Sequence, residues 1–513
     1  MLRLILFALL ALLPCVAEDL YIGQSSAGTG DGSNCSNQLP YTFFNSSGNW
    51  GAGAGKISAG DTVHICSIVT GGLNTTLLTF QGSGSAGNPV TLLFETDADL
   101  TSPAWGTGGA IACTGQNYIT IDGGTNGKIE NTANGTLLAN QVDSRAVNSV
   151  GCSNLTVQHL TVSNFYLREE DNTTDATDAD CIAADSSDNV LFTHNTVDHC
   201  RIGLAFTNSA VSTTHSNFEA SFNTLTFVEH GMTIAAGSTG AIISGVSIHD
   251  NDLGGGAYLW DSGSPNIWHH DPIHMFSQAS GSSVNSVQIY NNYFHGVWSR
   301  DSGYGGTHIT AEIFLEQLGS GTTIFNNIFD LTQGTVLNQP ANGDVFCKGS
   351  GSDNCRVYNN TFVDVSDFSE GFQCSSNSGH DVRNNIFYNT DGFYAPSGCT
   401  IAASDNNDFY LTTTWTNNGS SFNSLSGWQT ASGLDGNSIA ASPLLNLTSY
   451  LLGAGSPAIA MAANLTSLSI SHLGTDKSGV SRPSSGPWDA GAYQAVPAST
   501  SSFYSGTLKG FRK

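Results

Sequence analysis

The chain has 513 residues, and its 15 Lys and Arg against 41 Asp and Glu give a net charge of −26. Such an acidic excess argues against nucleic acid and anionic membrane surfaces as partners, since both are bound through Lys and Arg. With 59 Gly and abundant Ser, Thr and Asn the chain is turn-rich. Its length would ordinarily mean several domains, unless the fold is a solenoid, which grows without thickening its core.

Residues 1–17 (MLRLILFALLALLPCVA) carry one Arg, an unbroken apolar run and then small residues. That is the pattern of a secretory signal peptide cleaved after Ala17. A lipid anchor at Cys15 is the lesser alternative, because Pro14 is unusual before it. No other stretch approaches the roughly 18 apolar residues of a membrane span. The mature protein is therefore expected to be secreted, without a membrane span, and monomeric. Of eleven Cys, ten remain once Cys15 is removed, an even number that reads as disulfides in an oxidising compartment. Cys35–Cys66, Cys113–Cys152 and Cys181–Cys200 fit links across one coil. None has the CxxC spacing of a zinc site. The sequons at Asn74 and Asn172 matter only in a eukaryotic secretory pathway.

Residues 18–85 precede the regular pattern and are expected to form an N-terminal cap. VTLLFET (90–96), YITIDGG (118–124) and NLTVQHLTV (154–162) then read as strands of early coils. From residue 189 a unit recurs: an apolar, β-branched run, paired Asn or its equivalent, one residue, and a large apolar one. SVQIYNNYFH (286–295) shows it most clearly. Its anchoring positions are Asn195, Asn223, Asn251, Asn292, Asn327, Asn360, Asn385 and Asn407, spaced by 28, 28, 41, 35, 33, 25 and 22 residues. Short alternating strands and Asn or Gly turns at this period, with no crossover helix, predict an all-β parallel β-helix. Stacked coils would bring those Asn into a ladder at ~4.8 Å spacing. Beyond a polar stretch at 411–440, residues 446–494 close the domain, which spans 18–494, and 495–513 form a tail.

Two segments carry a resemblance. Ala59-Gly-Asp-Thr-Val63 resembles the "GDTV" opening segment of secreted β-helix proteins. Asp476, Gly479, Arg482, Pro483, Asp489, Gly491, Ala492 and Tyr493 resemble the C-terminal "D-x-x-G-x-x-R-P … D-x-G-A-Y" signature of bacterial parallel β-helix repeat proteins of the pectate-lyase-like superfamily. The resemblance implies a right-handed helix and is specific for fold rather than activity. Glu229-His-Gly-Met is similar to the "G-H-G" strand of polygalacturonases, and Asp180-Cys-Ile-Ala to their "D-D-C-I" strand. Ala179 replaces the first acid of the latter and no R-x-K occurs, so polygalacturonase activity is not implied.

Upstream of each Asn another short strand opens with an acid: Asp180, Glu229, Asp271, Glu312, Asp344 and Glu370. In phase, these carboxylates would form a row, ~5 Å apart on adjacent coils and ~10 Å on alternate ones. Those distances bracket the roughly 5–5.5 Å and 6.5–9.5 Å separations of retaining and inverting glycosidase pairs. Acids also open strands because they satisfy loop amides, so the surroundings must decide. The richest surround Asp271 and Glu312, with Glu316 as alternative second carboxylate. The 41- and 35-residue coils there must extrude loops that wall a cleft. Trp260, Trp268, Trp298 and Tyr304 lie on them, as sugar-stacking faces or as loop anchors. His230, His270 and His274 would orient substrate or tune the acids, and Asp180 and Lys348 complete the binding set. His269-His270-xxx-His274 is a weak metal signal, and no metal is assigned.

Three functions remain. A glycoside hydrolase acting on a polysaccharide through Asp271 and Glu312 requires no cofactor. A polysaccharide lyase would need Lys348 and Arg356 as base and charge, with Ca²⁺ on Glu312 and Glu316. A non-catalytic surface protein would bind glycan or a partner. The cleft's few cations, Arg300, Lys348 and Arg356, suit a neutral glycan, and the hydrolase is the favoured expectation.

Overall fold

The computed structural model describes residues 17–133, 143–165, 179–255, 270–277, 279–296, 298, 311–316, 319, 321–332, 344–349, 351–364 and 370–495. Residues 1–16 of the expected signal segment, Asn172, Trp260, Trp268, His269, Arg300, Tyr304 and the residues from 496 onward lie outside them.

Among the described residues the strands fall into two sheets, one of 14 and one of 23 strands. Apart from the Trp415–Asn417/Ser420–Phe422 hairpin, the ladders within them are parallel, each strand pairing with its counterpart about one coil later. This is a parallel β-helix. Each coil in the regular region contributes three strands. Ser283–Tyr290, for example, belongs to the 14-stranded sheet. Tyr293–His295 and Ile313–Glu316, which follow it, lie in two separate ladders of the larger sheet. The early strands match the sequence pattern: Thr62–Ile65 begins within the GDTV segment, and Val90–Phe94, Asn117–Asp122 and Ser153–Gln158 follow.

The paired Asn divide two tasks. The first of each pair turns the corner in the left-handed region, with φ of 57° at Asn291, 56° at Asn326 and 63° at Asn384. Asn tolerates that region better than other non-glycine residues. The second points inward and builds the expected ladder. Each side-chain amide, from Asn195 to Asn385, donates to the next Asn Oδ1 at 2.9–3.1 Å. The same oxygen also accepts the preceding Asn's backbone N–H. A buried amide would otherwise cost about 1–3 kcal/mol for each unmet group. Beside the ladder, Phe294, Phe329, Phe362, Phe387 and Phe409 stack at 4.6–4.9 Å within the coil interior.

Five disulfides pin the coils. Cys35–Cys66, Cys113–Cys152 and Cys181–Cys200 form as expected, and Cys347–Cys355 and Cys374–Cys399 complete the set. Beyond the only α-helix among the described residues, Leu425–Ser432, the chain doubles back along the solenoid flank. There the corner Asn serve as docking points. Asn326, Asn359, Asn384 and Asn406 donate to the carbonyls of Thr475, Asp489, Ala463 and Met461. Buried Arg482 of the C-terminal signature bonds Asn326 Oδ1 at 2.9 Å and the Gly491 carbonyl at 3.1 Å.

Candidate active site

The site lies on the third strand of successive coils: Asp271–Phe276, Ile313–Glu316 and Val345–Lys348, preceded by Thr224–Ala236. Ile273 and Met275 enter the core, so strand alternation turns His274 and Phe276 outward. Register then builds two outward rows: Thr233, His274, Phe314 and Phe346, and beside them Ala235, Phe276, Glu316 and Lys348. His274 stacks on Phe314 with centroids 4.9 Å apart, and Phe314 on Phe346 at 5.3 Å.

Parallel pairing sets His230 opposite Asp271. His230 Nε2 lies 3.7 Å from Asp271 Oδ2, while Oδ1 accepts the Ala311 N–H at 2.9 Å. Asp271 is wholly buried, and His230 and His274, each 8% exposed, stack at 5.8 Å. Glu316 links this group to Lys348, with Oε2 3.8 Å from His274 Nε2 and Oε1 accepting from Lys348 Nζ at 2.9 Å. His274 first, and Lys348 after it, hold the Glu316 carboxyl down at about 2 against the opposing effect of burial.

Glu312 is of another kind. It is fully buried one residue beyond Ala311, the position facing Asp271, and burial pushes it up to about 8. Asp344 follows it in register, raised well above the carboxylate range by burial and by Glu312 itself. Among the described residues no other group donates to the Asp344 carboxyl, and the two acids face each other across a side-chain hydrogen bond that requires one of them to keep its proton.

The acids do not form one row. Asp180 and Asp271 share a register position with Ile202 and His230, whereas Glu229 falls one position earlier and Glu312 one later. Glu229 pairs with Arg201 at 3.3 Å and lies 4.0 Å from His270 Nε2, and Asp180 pairs with Arg145 at 3.0 Å. The structure thus gathers His230, Asp271, His274, Glu316 and Lys348, with Glu312 alongside, and leaves Asp180 three strands away. Trp298 departs from the sugar-stacking expectation. It is 3% exposed within the core cluster, its indole N–H donating to His295 O at 3.0 Å, so it anchors rather than offering a free face. The lyase set does not assemble either, because Arg356 stands exposed on the 14-stranded sheet while Lys348 is on the other. Two surface depressions of about 390 and 470 Å³ flank the 14-stranded sheet, among Leu191 and Glu219 and among Gln288 and Arg356, and neither touches these carboxylates. The Glu312–Asp344 pairing leaves no signal in the sequence beyond the fact that both acids open strands.

No family model and no curated protein matches the chain. Among solved structures it is similar to the GH136 lacto-N-biosidase from Eubacterium ramulus (11% identity, 83% of this chain and 67% of that one, TM-score 0.43). It is also similar to pectate lyase Pel9A (13%, 94% and 97%, 0.38) and to XylC in complex with xylose (8%, 93% and 98%, 0.46). At these identities and TM-scores the likeness carries no argument about chemistry, and the fold rests on the strand register itself.

Proposed function

We propose that this protein is a carbohydrate-active enzyme that hydrolyses glycosidic bonds of a polysaccharide, with Glu312 as general acid and Asp271 as the second carboxylate. One observation carries the reading: on neighbouring strands, Glu312 keeps its proton to about 8 while Asp271 is engaged as an acceptor by Ala311 N–H and faced by His230. Two carboxyl groups in such different settings are what acid-assisted glycoside cleavage uses. His230 orients Asp271, and His274 with Glu316 and Lys348 forms the charged wall beside them. A net charge of −26 favours a neutral polysaccharide over a polyuronate.

Incubation with neutral and uronic polysaccharides, scoring reducing ends together with the ultraviolet absorbance of unsaturated products, tests this. Glu312→Gln and Asp271→Asn are each expected to lower the rate by at least ~10²-fold. Reducing ends without absorbance support hydrolysis. Unsaturated products would transfer the protein to the lyases, and undiminished cleavage by either variant would sink the carboxylate assignment.

A further inference from the structure

The histidines and the aspartate of this site form an arrangement that the spacing of HHxxxH does not reveal. The trio is His230, Asp271 and His274, drawn from two adjacent strands, and a ligand atom from each lies within 4.8 Å of the others. We propose that these three residues bind a single first-row divalent transition-metal ion, zinc or a close relative.

Four observations converge. The donor set, two imidazoles and one carboxylate, is that of open transition-metal sites, and it lacks the many oxygens that calcium requires. One pair, His230 Nε2 and Asp271 Oδ2 at 3.7 Å, is already near the ~3.3 Å between ligands of a tetrahedral ion with ~2.0 Å bonds. Strand pairing holds the residues, since His230 and Asp271 face each other and His274 follows on Asp271's own strand. Finally, Glu316 Oε2 lies 3.8 Å from His274 Nε2, where it would accept that N–H with the metal on Nδ1, the outer partnership that metal-bound histidines characteristically keep. Two other constellations, Cys347/Cys355/His380 and Cys374/Cys399/His380, hold their thiols in disulfides and cannot compete. Three protein ligands leave coordination open to water or to a sugar hydroxyl. That last role rests on the hydrolase reading; the binding does not.

The test uses full-length, tag-free protein stripped by chelator, titrated with Zn²⁺ by calorimetry and with Co²⁺ by visible absorption. One ion per chain, with ligand-field bands of the cobalt form, is the expected result. His230→Ala and His274→Ala should weaken binding by at least ~100-fold, and Glu316→Gln by ~10–100-fold. His215→Ala, far from the trio, should leave it unchanged. No saturable binding by the wild-type chain, or binding undiminished in both ligand variants, overturns the site. Because the ligand variants could misfold, the wild-type cobalt spectrum stands as an independent readout, and bound Co²⁺ without ligand-field bands also overturns it. Glu312→Gln separates the two proposals, since it leaves the trio intact and should bind Zn²⁺ normally while losing cleavage. Zn²⁺ binding by a protein inactive on every polysaccharide would sustain the site and remove the hydrolase.

Discussion

Glu312 and Glu316 lie four residues apart, one just before and one at the end of the same strand, and titrate in opposite senses. Glu312, raised from 4.5 to about 8, keeps in the folded state a proton that the unfolded chain has released. Its contribution to stability is full below about 4.5 and is lost as pH rises through 8, by on the order of 1 kcal/mol per pH unit at the steepest. Glu316, held at about 2, contributes above 4.5 and loses its effect as pH falls toward 2. Denaturation of wild type and Glu312→Gln at about pH 5 and pH 8 measures the first sign: the variant should lose less stability across that interval, and equal losses would mean that Glu312 titrates normally. For activity, an acid of this kind gives an alkaline limb near pH 8, to be sought in the pH profile of the wild-type rate. Glu312 and Asp271 were legible as strand-opening acids, but their relation was not. From Asn251 to Asp271 and from Asn292 to Glu312 the spacing is 20 residues in both cases, yet the two acids land on adjacent register positions. The ladder position of the Asn does not dictate register on the third strand when long segments intervene.

At the scale of strands, the site depends on how closely two coils approach. A Cβ built on Gly231, next to His230, would meet the Pro272 carbonyl at 2.4 Å, next to Asp271. Gly231→Ala must push these strands apart and should cut activity at least ~10-fold, with ~1–3 kcal/mol lost in stability; wild-type rates from that variant would contradict the contact. The Asn ladder makes a parallel prediction. Asn327 donates to Asn360 Oδ1 at 3.0 Å and to Ile289 O at 2.9 Å, and it accepts from Asn292. Asn327→Leu strands those partners and should cost ~2–4 kcal/mol, read from a denaturant midpoint at unchanged slope. The ladder was readable because eight Asn recur at one phase. The job of their neighbours was not: Asn326, Asn359 and Asn384 look like mere turn residues until the returning C-terminal segment is placed on them.

In the whole molecule, that returning segment ties distant coils together. Arg482 reaches Asn326, and Lys477, half-buried and lowered by desolvation to about 8, donates to the Asn291 carbonyl. A solenoid otherwise couples only neighbours, so this flank strap is where cooperativity can be lost. Arg482→Met should leave Asn326 Oδ1 unmet and the Gly491 carbonyl with only its long 3.4 Å bond from Asn359, lower the melting temperature by several degrees, and broaden the transition. A sharp, unshifted calorimetric peak would show the strap to be incidental. The architecture was legible from the repeat period alone, whereas the strap was not, because docking on an outer row of turns leaves no periodic trace in the chain that docks.

The ladder also has a direction. Every rung from Asn195 onward gives both its backbone N–H and its side-chain NH₂ to the rung that comes later in the chain, and Asn407 closes the series on Ser438 and Asp435. A nascent chain therefore carries, at its newest completed coil, two buried donors whose acceptor has yet to be synthesised. Each coil is provisional until its successor arrives, and only the terminator at Asp435 discharges the last demand. A polypeptide halted anywhere between residues 251 and 407 would bear that unmet pair as a mark of incompleteness, a built-in means by which a finished molecule differs from an abandoned one.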